Sequence, residues 1–182
     1  LIHISTDYVF DGNTQNPYKE DDIPNPQSVY GKTKLLGEKG IKTTGCKYII
    51  FRTSWIFSEY GSNFLLTILN LAKTRDILEI VDDQIGCPTY AGDLARLIFS
   101  SINKIENNDL KSGTYHFSGS HSCSWYDFAR LIFNENLDYG LRSPILNPIN
   151  TKIDSTKANR PKFSVIDSSK TVNLFNIKPT VT

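Results

Sequence analysis

Tyr30 and Lys34 stand four residues apart in the run Ser28-Val-Tyr-Gly-Lys-Thr-Lys34. In a helix, that separation puts both side chains on one face, one turn apart. A phenol is a poor acid or base at its free pKa of about 10. A neighbouring ammonium favours the phenolate, so Lys34 beside Tyr30 is a candidate proton-transfer pair. The spacing alone is a weak signal, because the chain has 9 tyrosines and a surface helix with a packed Tyr and a solvated Lys looks the same. Ser5, Thr6 and Asp7 close an apolar run. In open α/β sheets ligands collect at the carboxyl ends of strands, and hydroxyls there can bond both a substrate carbonyl and a phenol. The plain alternative is a pair of strand-end residues satisfying nearby backbone. Trp55 follows a second apolar run and reaches the same sheet edge as Thr6 if the two strands are parallel. There an indole can stack on a ring or sugar, or simply pack in the core.

These residues need elements to hold them. The segment 1–5 reads as a buried strand ending at Thr6-Asp7. Residues 11–28 are rich in Asp, Asn, Pro and Gly. They predict a long ordered loop, of the sort that in compact domains is usually functional. Ser28 is a good N-cap for a helix over 29–39 that Gly40 would close. Residues 47–53 form a second strand with a continuous apolar centre, as in a parallel sheet covered on both faces. An amphipathic helix follows over 62–75, with Phe64, Leu65, Ile68, Leu69 and Ala72 on one side. Further elements are a strand at 77–81, a helix at 91–103, a strand at 114–118 and a short strand near 144–149. A helix capped by Ser124 turns Phe128, Leu131 and Ile132 inward, and a last short helix starts near Asp167. Alternating strands and helices predict an α/β fold, Rossmann-type and doubly wound, with a mostly parallel sheet.

Composition narrows the function classes. With 39% hydrophobic and 21% charged residues the 182-residue chain suits a globular domain with a real core. A net charge of +1 offers no electrostatic footprint for nucleic acid or an anionic membrane. No apolar run approaches the roughly 20 residues that span a bilayer. Cys46, Cys87 and Cys123 are dispersed and form no C-x-x-C pair, which points away from a disulfide framework or zinc site and toward a cytoplasmic setting. The three histidines show no metal-ligand spacing, so no metal site is expected. The sequence contains no methionine and opens inside an apolar run, so a piece of a longer protein is expected.

The runs ISTDYVFDG, PYKEDDIPNPQSVYGKTKLLGE and FRTSWIF resemble the extended short-chain dehydrogenase/reductase family. So do VDDQIGCPTYAGDLA, GTYHFSG with SWYDFA, and RPKFSVIDSSK. Within that family they look like the branch that reduces dTDP-linked 4-keto-sugars, over nearly the whole chain and in order. The resemblance implies hydride delivery from NADPH (NADH being the alternative) to C4 of dTDP-4-dehydro-L-rhamnose, giving dTDP-L-rhamnose for bacterial surface polysaccharide. Tyr30 would donate the proton. Lys34 would favour the phenolate and bond the nicotinamide ribose, so both residues would also bind cofactor. Thr6 would supply the third, hydroxyl member of the triad. Thr6, Asp7 and Trp55 match positions that meet the nucleotide-sugar. The implied layout gives residues 1–60 to the remaining half of the NAD(P)-binding domain and 61–182 mainly to substrate binding, with about 82–103 returning to the Rossmann core. No G-x-G-x-x-G or G-x-x-G-x-x-G turn occurs. The chain therefore resembles the carboxyl-terminal part of a reductase, expected to be inactive alone. The family includes magnesium-linked dimers, so a homodimer is an expectation that these residues do not themselves encode. Two other readings stay open. One is reduction of a different nucleotide-linked keto-sugar. The other is a non-catalytic regulatory subunit, like that of methionine adenosyltransferase.

Overall fold

In the computed structural model, residues 1–107, 111–136, 143–151 and 159–180 are described. The strands are β1 (Ile2–Thr6), β2 (Ile49–Thr53), β3 (Ile56–Phe57), β4 (Ile77–Val81), β5 (Ile85–Gly86), β6 (Thr89–Tyr90), β7 (Gly113–His116), β8 (Cys123–Ser124) and β9 (Ile145–Ile149). The α-helices are α1 (Val29–Thr43), α2 (Phe64–Ala72), α3 (Ala91–Glu106), α4 (Trp125–Asn136) and α5 (Ser169–Phe175). A 3-10 turn, Asp7–Val9, follows β1 directly.

Strands β1, β2 and β7 form a parallel sheet in the order β1-β2-β7, with Thr6 opposite Thr53. The expected α/β architecture and the parallel pairing of the first two strands are both observed. Two further parallel pairs, β3-β6 and β4-β9, and one antiparallel pair, β5-β8, complete the strand pairing. Side chains alternate across β2. Ile49 and Phe51 join Leu94, Leu97, Tyr115, Phe117 and Phe175 in one apolar cluster, which seats α3 and α5 on the sheet. A second cluster joins Ile68 and Ala72 of α2 to Leu78 and Ile80 of β4 and to Phe128, Ala129, Ile132 and Phe133 of α4.

Local signals explain most boundaries. The Ser28 hydroxyl accepts from the Gly31 amide at 3.1 Å and starts α1 as expected. Gly40 does not close that helix, which runs three residues further to Thr43. A Cβ at Gly40 would meet nothing within 4 Å, so it sits on the open face of the helix and is tolerated. The left-handed break that ends such a helix falls at Gly45, with φ 72°. Asn63 caps α2, its side chain accepting from the Leu66 amide at 3.1 Å. In α4 the inward stripe is Phe128, Ala129, Ile132 and Phe133. Leu131 is exposed, because adding the 129/133 pair shifts the buried stripe away from it. No helix among the described residues is long and apolar enough to cross a membrane.

Candidate active site

Helix α1 lies against the end of β1 and the turn that follows it, and one glycine makes the approach possible. A Cβ on Gly31 would stand 2.1 Å from the Tyr8 carbonyl oxygen, so no side chain fits between the helix and the turn. The neighbouring Tyr30 then meets Tyr8 edge to face, with ring centroids 5.8 Å apart. One turn further along, the Lys34 ammonium donates to the Ile4 carbonyl of β1. Tyr30 and Lys34 are thereby both carried to the segment that holds Thr6, and Tyr30 remains 52% exposed. Burial, with the Asp7 charge behind it, pushes the Tyr8 phenol up to about 12. Of the two adjoining phenols, Tyr8 is therefore a fixed neutral wall.

Helix α1 is anchored from beneath by a buried ion pair that spacing arguments missed. Glu38, one turn beyond Lys34, accepts from Arg52 of β2 in a two-pronged bond, 3.0 Å from Nε to Oε1 and 2.7 Å from Nη2 to Oε2. The Ser5 hydroxyl of β1 donates to the same carboxylate at 2.5 Å. Burial alone would raise the Glu38 pKa, but the Arg52 hydrogen bond and charge outweigh it and leave the carboxyl lowered. Arg52 also lies over the Phe10 ring, 5.1 Å from its centroid. The sequence did contain a signal for this pair. An arginine inside an otherwise apolar strand of a covered parallel sheet requires a buried counter-charge.

Thr6 and Asp7 are both buried, and they bond each other. The Thr6 hydroxyl donates to Asp7 Oδ1 at 3.0 Å and accepts from the Tyr8 amide at 3.2 Å. Asp7 is 2% exposed, and its Oδ2 has no hydrogen-bond partner among the described residues. The Ser164 hydroxyl lies close by, but its bond goes to the Ile85 carbonyl at 3.4 Å. Burial pushes the Asp7 carboxyl up to about 7, against partial relief from Ser164, Thr6 and two backbone amides.

Trp55 stands at the carboxyl end of β2, two residues past Thr53, in a left-handed conformation with φ 46°. Its indole stacks on Trp125 with centroids 3.5 Å apart and planes 6° from parallel. It also covers Gly86, where a Cβ would meet the ring at 2.4 Å. The segment around Gly86 links the two parts of the site. The Cys87 carbonyl accepts from Ser54, and Cys87 lies close enough to Asp7 to feel its charge. A cavity of about 620 Å³ is lined by Cys87 together with Ser118, Gly119, Ser168, Asn173 and Lys178 among others. None of Thr6, Tyr30, Lys34 or Trp55 lines it, so these residues lie outside that cavity. Among the described residues no group of three or more His, Cys, Asp or Glu is placed to hold a metal ion.

Lys34 has three N–H bonds and uses one on Ile4, and the Tyr30 phenol is half exposed.

Comparison with known proteins gives a consistent picture. The profile of the RmlD substrate binding domain matches residues 1–181. A dTDP-4-dehydrorhamnose reductase from Aggregatibacter actinomycetemcomitans is 48% identical over 98% of this chain and 62% of its own length. The crystal structure of a dTDP-4-dehydrorhamnose reductase from Clostridium acetobutylicum superposes with a TM-score of 0.83 at 42% identity, over 96% of this chain and 59% of that one. The enzyme of the same name from Bacillus anthracis, solved in complex with NADP, gives a TM-score of 0.84 at 38% identity, over 100% of this chain and 61% of that one. The chain thus spans about three fifths of the length of the relatives it matches.

Proposed function

The chain belongs to the RmlD substrate-binding domain family, and from that premise we propose that the protein carrying it reduces the 4-keto group of dTDP-4-dehydro-L-rhamnose to give dTDP-L-rhamnose. The observation that carries this reading is the docking of α1 on the end of β1, which sets Tyr30 and Lys34 beside the Thr6 segment. The named relatives and the NADP complex of one of them support the choice of substrate and cofactor.

Each residue has a task in this reading. NADPH, when bound, supplies the hydride. Tyr30, with its phenol open to solvent, donates a proton to the alkoxide that develops at C4. The Lys34 ammonium stabilises the negative charge left on that phenol and, with its remaining N–H bonds, holds the cofactor ribose. Thr6 holds the carbonyl oxygen. Asp7 and Trp55 complete the nucleotide-sugar side of the site. The layout proposed for the chain gives 1–60 to the cofactor-binding half and 61–182 mainly to substrate, with about 82–103 returning to the sheet core. The cluster in which Leu94 and Leu97 pack on β2 and β7 supports that return. A homodimer without nucleic-acid affinity, working in the cytoplasm, belongs to the same reading. The net charge of +1 and three free cysteines support the last two points.

The test is NADPH oxidation in the presence of dTDP-4-keto-L-rhamnose, run on the protein as encoded in its gene. Replacing Tyr30 by Phe is expected to lower kcat by about 10²–10⁴-fold, the usual worth of a positioned general acid. Undiminished turnover in Tyr30→Phe would overturn the mechanism. Turnover only with another nucleotide-linked keto-sugar, identified by NMR of the product, would overturn the substrate assignment.

A further inference from the structure

We propose that Asp7 is a positioning residue that decides, through its proton, whether the Thr6 hydroxyl can donate to a substrate carbonyl. The inference rests on the reading of Thr6 given above and adds a role for its neighbour.

The reasoning is a count of hydrogens and lone pairs. A threonine hydroxyl has one hydrogen to give and two lone pairs to receive with. In the arrangement seen, one lone pair of Thr6 is taken by the Tyr8 amide and the hydrogen is spent on Asp7 Oδ1. Only an acceptor site remains. A ketone oxygen is itself only an acceptor, so Thr6 in this state has nothing to offer it. If the Asp7 carboxyl carries a proton, the bond between the two side chains can reverse. Asp7 then donates to Thr6, both Thr6 lone pairs are occupied, and the Thr6 hydrogen is free to meet the carbonyl oxygen. The count also holds for the alkoxide product, which again only accepts.

The surroundings of Asp7 favour the protonated form. It is buried to 2% exposure, and its Oδ2 has no hydrogen-bond partner among the described residues. An ionised oxygen left without donors in such a place is costly, and protonation removes the charge. The groups that face it are few. From its own turn come Thr6 and the Tyr8 phenol, from the Gly86–Cys87 segment the Cys87 thiol, and from the 159–168 segment the Ser164 hydroxyl. Burial raises both the Tyr8 and the Cys87 pKa values, to about 12 and about 11, so neither is a charged partner at neutral pH. Arg160, also of the 159–168 segment, and Tyr30 of α1 act on Tyr8, with Arg160 lowering its pKa and Tyr30 raising it. No cation is bonded to Asp7 among the described residues. The buried carboxyl, pushed up to about 7, is thus placed to change its proton under physiological conditions.

Two measurements on the protein as encoded test this. The first is infrared titration of the wild-type protein carrying 13C-labelled aspartate, read at the protonated aspartate band that outlasts the others as pH rises. It is expected to report an acid form that persists to near neutral pH. The second is the pH profile of kcat/KM for keto-sugar reduction, which reports groups of the free enzyme. It is expected to fall about tenfold per pH unit above the Asp7 titration. Asp7→Asn cannot ionise, so its profile, at whatever overall level it runs, should lack this limb. A purely structural role for Asp7 would move the overall level and leave the limb in place. An infrared midpoint in the ordinary carboxylate range would overturn the inference even if the variant fails to fold. So would a limb that persists unchanged in Asp7→Asn while the wild type is active. A wild-type protein that turns over no keto-sugar would overturn the proposed activity, and with it this role for Thr6 and Asp7.

Discussion

Helix α1 and the helix pair α2/α4 both pack on β-strands, but different forces hold them. Beneath α1 a buried polar group ties the helix to the sheet: Glu38 is fully buried, Arg52 is 2% exposed, and Ser5 joins them, while Leu35 packs beside it on the Val9 and Phe10 cluster. Beneath α2 and α4 the contact is hydrocarbon and aromatic, with Phe64, Phe57 and Trp125 packed around Phe128. Apolar packing is non-directional, and its elements can settle wherever volume allows. A two-pronged guanidinium–carboxylate bond has a defined length and plane. In the proposed reading, a helix that presents Tyr30 and Lys34 to the Thr6 segment gains from the second kind of attachment. The substrate-side helices, in this reading, need a well-filled core more than a fixed register.

Breaking the polar anchor should give the largest effect. Glu38→Ala leaves Arg52 buried without its counter-charge and is expected to cost about 3–5 kcal/mol in urea unfolding of the protein as encoded. The double replacement Glu38→Leu with Arg52→Met should recover most of that stability. If it also recovers full turnover, the anchor has no role in positioning and the contrast between the two regions collapses.

Acid titration sharpens the same comparison. His116 lies fully buried on the polar side, its Nδ1 bonded to the Tyr18 carbonyl at 3.1 Å. Burial, then the Arg52 charge, lowers its pKa to about 3 from 6.5. Between those values the unfolded chain takes up a proton that the folded chain refuses, so the histidine makes stability fall as pH falls. Replacing it by Gln should remove a slope of up to about 1.4 kcal/mol per pH unit in that window. Above the window, the wild-type and variant stability curves should run parallel. Asp7 works with the opposite sign: raised to about 7 from 3.8, it keeps a proton in the folded chain that the unfolded chain loses as pH rises. A curve for the difference between wild type and His116→Gln cancels that term. A flat difference would show that His116 is not held neutral.

The smallest effect belongs to the apolar side. Ile68, 2% exposed in the α2/α4 cluster, should cost only about 0.5–1.5 kcal/mol when cut to Val, with turnover unchanged. A loss of activity without a matching loss of stability would mean that this region, too, sets the geometry of the site.

The elements were legible in the sequence where their causes are local. Ser28 capped its helix, the apolar centre of 47–53 paired in parallel, and the 3.6-residue periodicity of 62–75 placed Phe64, Leu65, Ile68, Leu69 and Ala72 on the packed side. That Thr6 and Trp55 share one sheet edge could be anticipated because parallel strands bring their carboxyl ends together, whereas the meeting of Tyr30 and Lys34 with the Thr6 segment was implied by the family resemblance. What could not be read was set by contacts across the chain. The need for glycine at position 31 comes from the Tyr8 carbonyl, more than twenty residues away. The burial of Asp7 depends on the Cys87 and Ser164 segments, which come together only in the folded chain. Leu131 faced outward because Ala129 and Phe133 redirected its helix, a choice among faces that periodicity left open.

The stacked indoles have an optical consequence. The chain holds 2 tryptophans, and these two rings lie 3.5 Å apart and nearly parallel. Chromophores that close share their excitation. The near-ultraviolet dichroism and the fluorescence of these residues will therefore report on one joint, where the end of β2 meets the start of α4. A sugar or base that slides against Trp55, or parts it from Trp125, would change the colour and brightness of that emission. The chain thus carries its own reporter at the place where substrate is proposed to bind, and no label needs to be attached to watch it fill.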